Sequence, residues 1–307
     1  MNLLADALRP LAACALAVAM LHAQSAPTPA RATPAQRVGY TPEQIAQMPV
    51  SVAERIAYGS DALQFGELRL PRGRGPFPVA VVIHGGCWIS HFADLHQTNP
   101  LASALTQAGI ATWNIEYRKI GDPGGGWPNM YRDVSRATDF LRTLAPQHQL
   151  DLDRVVVMGH SAGGHLAMWV AARNRLPADS PLRLDAPPLP LRGAVNLDGW
   201  PDLDRVIEMR GTSCGEPALE GLIGGTLPAA EKNFRQASVT ALLPLGVKQI
   251  SLVRQDELES HRYEVAARRA GDPIEVIALP EVAHMDFVAP PSAAWPAVEK
   301  AVRSLLK

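Results

Sequence analysis

Only three cysteines stand among the 307 residues, at positions 14, 87 and 214. Three are too few for the disulfide framework of a small secreted domain. No Cys or His pair falls at zinc-ligand spacing. The nearest cluster, His91 and His96 with Asp94 between them, reads as a solvated loop, so no metal is expected. Charge of one sign is equally scarce, since 29 basic and 30 acidic side chains leave a formal net charge of −1 with no dense basic run. Nucleic acid and anionic membrane are therefore not expected as partners, because phosphate binding is built on clustered Lys and Arg. No apolar run approaches the roughly 20 residues that a spanning helix needs, so stable membrane insertion is not expected either.

What apolar sequence the N-terminus has is short. Leu11 to Leu21 has signal-peptide length, with Arg9 before it and Ala17, Ala19, Ala23 and Ala26 as small residues for cleavage. Asp6 weakens the basic flank. Leu11-Ala12-Ala13-Cys14 also fits a lipoprotein box, although Asp6, Arg9 and Pro10 interrupt the sequence before it. Residues 1–26 are expected to be a signal peptide and the protein to be periplasmic or secreted. Residues 27–49 read as a Pro/Ala-rich linker and one short helix, with Thr41 as N-cap and Pro42 at its first position. Once the leader is removed, Cys87 and Cys214 remain, and nothing in the sequence says whether they pair.

The body, residues 50–307, is rich enough in apolar residues to bury a full core, the whole chain being 47% hydrophobic. Strands are expected at Leu63–Leu70, Val79–Ile83, Ile110–Tyr117, Val155–Met158, Leu191–Leu197, Val247–Val253 and Ile274–Leu279. Helices are expected at Leu101–Ala108, after Ser161, and at Trp295–Leu306. Met130, Val134, Ala137, Leu141 and Leu144 share one helical face. Asp202 to Leu243 reads as irregular and as a possible cap. Regular strand–helix alternation with buried strands predicts an α/β fold, helices on both faces of a mostly parallel sheet.

Chemistry concentrates at four strand ends. Val155-Val156-Val157-Met158 runs into Gly159-His160-Ser161-Ala162-Gly163, a Gly-X-Ser-X-Gly turn of the kind that exposes a serine between strand and helix. Val79–Ile83 runs into His84-Gly85-Gly86-Cys87-Trp88, where glycines let backbone N–H groups approach a developing oxyanion. Donors are expected at Gly86, Cys87 and Ala162, with His84 bracing the loop. Arg254-Gln255-Asp256-Glu257 follows the strand at 247–253, and Pro280-Glu281-Val282-Ala283-His284 follows the strand at 274–279. Ser161, Asp256 and His284 thus come in nucleophile–acid–base order, with Glu257 the alternative acid. Asp286 is expected to tie down its own loop or flank the site. Trp88, Trp127 and Trp200 lie near strand ends and either line a substrate pocket or simply pack.

These motifs resemble the esterase branch of the α/β-hydrolases that carries His-Gly-Gly-X-Trp and Gly-His-Ser-Ala-Gly-Gly-His. That branch includes carboxylesterases, feruloyl-esterase-like enzymes, prolyl-oligopeptidase-like hydrolases and kynurenine formamidases. The likeness runs over roughly residues 50–307, including Glu116-Tyr117-Arg118 and Leu222-Ile223-Gly224-Gly225-Thr226. It departs at Val253, where the family often has a glycine three residues before its acid. The resemblance implies an eight-stranded twisted sheet and cofactor-free acyl transfer to a small carboxylic or aryl ester. Formamide cleavage, as of N-formylkynurenine, or other amidase or peptidase chemistry is the alternative. A non-catalytic binding module is a third reading, set against an intact nucleophile, acid, base and donor loop.

Overall fold

The protein is represented by a computed structural model that describes residues 39–209, 214, 216–255 and 262–307. The expected leader, most of the expected linker, and Asp256 and Glu257 lie outside the described residues. Eight strands form one sheet: β1 (Glu54–Ala57), β2 (Phe65–Arg69), β3 (Phe77–Ile83), β4 (Ala111–Ile115), β5 (Leu150–His160), β6 (Gly193–Leu197), β7 (Lys248–Arg254) and β8 (Ile274–Leu279). Their spatial order is β1-β2-β4-β3-β5-β6-β7-β8. The first two pairings, β1 with β2 and β2 with β4, are antiparallel; every later one is parallel. The parallel part brings the C-terminal ends of β3, β5, β6, β7 and β8 to one edge.

The central strands are apolar on both faces, and their alternating side chains feed two separate cores. Val79, Val81, Ile83, Val155 and Val157 point to one side. There they meet α3 (Asn129–Asp139), α4 (Leu141–His148) and α5 (Ala162–Ala172). Ala80, Val82, Val156 and Met158 point to the other, against α2 (Asn99–Gln107) and α10 (Trp295–Leu305). Each of the valines named is fully buried, worth roughly 1.5–3 kcal/mol apiece. The expected α/β sheet with helices on both faces is what forms.

Three local expectations change. β1 is a short, mostly exposed edge strand whose Glu54-Arg55-Ile56-Ala57 gives little apolar signal. The face running from Met130 to Leu144 is split between α3 and α4 at Phe140, which caps both. The stretch from Asp202 to Leu243 is not irregular: it holds α6 (Leu203–Glu208), α7 (Glu216–Ile223) and α8 (Glu231–Ala237). Short helices with few caps left no clear periodic stripe to read. The remaining helices are α1 (Pro42–Ala46), closed by a Thr41–Gln44 capping box, and α9 (Arg262–Arg269).

Candidate active site at the strand ends

Ser161 stands between β5 and α5 with φ 56° and ψ −121°, a backbone conformation that costs a non-glycine residue about 1–3 kcal/mol. The surroundings explain how it is held. A Cβ at Gly163 would fall on the carbonyl oxygens of Ile83 and His84, and one at Gly159 on the carbonyl of Gly163. The two motif glycines therefore let β3, β5 and α5 close on one another. The Ser161 N–H donates to Leu197 O at the end of β6 (2.9 Å). Ser161 itself stands at the C-terminal end of β5 and is 8% exposed.

The loop after β3 lies directly against this turn, since a Cβ at Gly85 would sit 3.1 Å from Ser161 Cβ. Gly86, Cys87 and Trp88 take three successive positive φ angles, 101°, 51° and 61°. Among the described residues, no hydrogen bond uses the backbone N–H of Gly86, Cys87 or Ala162. Three unspent donors beside a serine suit an oxyanion. His84 braces the loop as expected. Its ring nitrogens face Glu116 Oε1 (2.9 Å) and Gly85 O (2.8 Å), and its ring stacks on Tyr117. Burial pushes the Glu116 carboxyl up, but His84 and the Lys119 ammonium (2.6 Å) outweigh it and hold Glu116 well below the usual range.

His284 begins a 3₁₀ turn after β8. Its Nδ1–H donates to Asp198 Oδ2 at 2.6 Å, and among the described residues Nε2 has no partner. That is the tautomer a general base needs. Asp198 follows β6, and it is also held by Arg254, whose backbone N–H donates to Oδ1 (3.1 Å) and whose Nε–H donates to Oδ2 (2.7 Å). Burial pushes the Asp198 carboxyl up. The hydrogen bond and charge of His284, together with Arg254, reverse this and hold it well below the usual carboxylate range. The sequence assigns the acid to Asp256, or alternatively Glu257, and both lie outside the described residues. The imidazole position that such an acid serves is taken by Asp198.

His160, one residue before the serine, packs on the imidazole of His284 with ring centroids 4.5 Å apart. Its Nε2–H donates to His284 O (2.9 Å), so the residue beside Ser161 also carries the His284 loop. Burial first, then the neighbouring His284, lower the His160 imidazole to about 3. Asp286 ties down its own loop, accepting from the N–H of Ala283 (2.9 Å) and of Tyr40 (3.0 Å).

The tryptophans divide. Trp88 is buried, and its indole N–H donates to His165 Nδ1 (3.2 Å), so it packs beneath the donor loop instead of lining a pocket. Its apolar bulk beside a core-facing helix decides this. Trp127 is half-buried and edge-on to Tyr131. Trp200, two residues after Asp198, is half-buried with Arg205 over its ring. Sequence reasoning missed Asp198, His160 and Arg254, and also Gln97, whose Oε1 accepts from the Gly85 N–H (2.7 Å). Asp198 alone left a signal, ending a buried strand just before Gly199-Trp200.

A family model described as BD-FAE matches residues 67–241, more than half of the chain. A probable isoprenylcysteine alpha-carbonyl methylesterase of Arabidopsis thaliana is 32% identical over 117 residues, 38% of this chain and 24% of that protein. A kynurenine formamidase of Aspergillus versicolor is 32% identical over 129 residues, 38% of this chain and 42% of that protein. The chain thus spans about a quarter of the plant relative and under half of the fungal one. Among solved structures, esterase B from Lactobacillus rhamnosus superposes with a TM-score of 0.70 at 18% identity, covering 83% of this chain and 84% of that one. At that identity the likeness concerns the fold.

Proposed function

This chain belongs to the BD-FAE family, and on that footing we propose that it hydrolyses carboxylic esters through an acyl-enzyme on Ser161. The observation that carries the reading is the 2.6 Å contact of His284 Nδ1 with Asp198, set beside a strained serine and three unspent backbone donors. His284 Nε2 takes the Ser161 proton as Oγ attacks the ester carbonyl. Asp198 keeps the imidazole in that tautomer and stabilises the imidazolium. The N–H groups of Gly86, Cys87 and Ala162 receive the oxyanion. His284 then protonates the leaving alcohol, and water repeats the sequence to release the acid. No step in this scheme calls on a metal or an organic cofactor.

The match to an isoprenylcysteine methylesterase supports a small ester, and Trp127 and Trp200 are the aromatic residues best placed to line its site. The match to a kynurenine formamidase supports a second reading, an aryl formamide as substrate. The leader-like N-terminus supports a periplasmic or secreted destination, and no helix among the described residues is long and apolar enough to cross a membrane.

The test has two parts. A fluorophosphonate should label Ser161, located by peptide mass spectrometry, and p-nitrophenyl acetate should turn over. Comparing its kcat/KM with that of N-formylkynurenine then ranks ester against formamide. Absence of both labelling and turnover contradicts the hydrolase reading.

A further inference from the structure

Cys87 and Cys214, 127 positions apart in the chain, form a disulfide with their Cα atoms 5.0 Å apart. One end is an expected oxyanion donor. The other lies between α6 and α7, a region joined to the strand-end loops a second time where the Trp127 N–H donates to Gly221 O (2.8 Å).

The donor loop is unevenly held. On one side, Gly85 N–H donates to Gln97 Oε1 (2.7 Å) and Ile89 N–H to Gly86 O (2.9 Å). On the other, Ile120 N–H donates to Trp88 O (2.8 Å). Cys87, at φ 51° between them, has neither its own N–H nor its own carbonyl engaged among the described residues. Besides packing against the core, what holds it is the bond through its sulfur. Resting on the hydrolase reading above, we propose that Cys214 is a positioning residue for the oxyanion hole. Through the disulfide it holds Cys87 in the left-handed conformation that aims its N–H at the substrate oxygen. It follows that the enzyme is fully competent only where this bond can form, in an oxidising compartment.

The experiment uses the oxidised full-length protein with p-nitrophenyl acetate as substrate and an aryl trifluoromethyl ketone as inhibitor. The ketone's serine adduct carries an oxyanion and so reports on the hole. Reduction is by a trialkylphosphine: the phosphine loses two electrons and takes oxygen from water, and the two protons end on the Cys87 and Cys214 thiols. Misplacing a donor by a fraction of an ångström should lower kcat by about 10- to 100-fold and weaken the ketone in parallel. KM should stay within about threefold, and reoxidation should restore the rate. Cys214→Ser should reproduce the loss without reductant, and the Cys87→Ser/Cys214→Ser double variant should add nothing to it.

A crosslink that only stabilises the fold would lower Tm and leave kcat and the ketone affinity unchanged well below it. That result, with two free thiols titrated and near-UV circular dichroism intact, overturns the proposal. Should reduction unfold the chain, the double variant compared at 10 °C serves as the same test. Failure of the hydrolase reading looks different, because the oxidised protein would then neither turn over ester nor take the phosphonate.

Discussion

The Ser161 side and the His284–Asp198 side of this site are built by different means. Ser161 and its donor loop sit within ten residues of a strand end each, and their geometry comes from glycines that let backbones touch. His284 and Asp198 meet across 86 positions, Arg254 and Asp198 across 56, through contacts to the Asp198 carboxylate. The first kind of site is written locally, in residue types that few other arrangements require. The second kind depends on which strand ends become neighbours. Backbone-made geometry should therefore fail on small substitutions all along its loops, while contact-made geometry should fail at its centre, Asp198, and lose function by degrees only at its periphery.

The largest effect is expected at the centre of the backbone-built half. Ser161→Ala should reduce kcat for p-nitrophenyl acetate by about 10⁶-fold, read against an active-site titration of the parent. Next comes the donor loop. A Cβ at Gly86 would lie 2.8 Å from Ala93 Cβ at a φ of 101°, so Gly86→Ala should cost about 10²-fold in kcat with KM little changed. A normal rate in that variant would show that the loop's form is not dictated by its glycines.

The contact-built half should respond more gently at its periphery. Arg254→Gln removes the Nε–H bond to Asp198 and keeps the backbone N–H bond to Oδ1, so a fall in kcat/KM of roughly tenfold is expected. An unchanged rate would mean that the backbone bond suffices to orient the acid.

How much of this could be read beforehand follows the same division. Val155–Met158 and the turn after it were legible because buried parallel strands are continuous apolar runs and the glycines have no other use there. His284 was legible as the only histidine after the last strand, in the order that the fold family requires. The contact of Asp198 with His284 was not anticipated, because Asp256, outside the described residues, also follows a strand and sequence position alone does not show which carboxylate the His284 imidazole meets. His160, between Gly159 and Ser161, was read only as part of the motif and given no role of its own. Its role as a clamp on the His284 carbonyl exists only once β5 and the loop after β8 are brought together. The helices between 203 and 237 escaped because each is only six to eight residues long, too short for a clear periodic stripe.

The smallest expected effect concerns stability. His160 and His165 are buried, and burial foremost lowers them to about 3 and about 4. The unfolded chain protonates both near the ordinary histidine value of ~6.5, while the folded chain does not. Stability is therefore complete above that value and declines as pH falls from about 6.5 towards 4, the window in which only the unfolded state binds protons. Tm should drop on the order of 5 °C between pH 7 and pH 5 by calorimetry. Asp198 and Glu116, held well below the usual carboxylate range, act in the same direction, but only at the acid end, as pH falls through the unfolded carboxylate values of ~4. A flat Tm would mean that neither buried ring excludes its proton.

The decisive measurement pairs two substitutions of similar size, Asp198→Asn and Asp256→Asn, and compares kcat/KM on p-nitrophenyl acetate. With Asp198 on His284 Nδ1 at 2.6 Å, its amide should lower the value by about 10⁴-fold, while the change at 256 should stay within about threefold. The opposite ranking, a collapse at 256 and a near-normal rate at 198, would contradict the account.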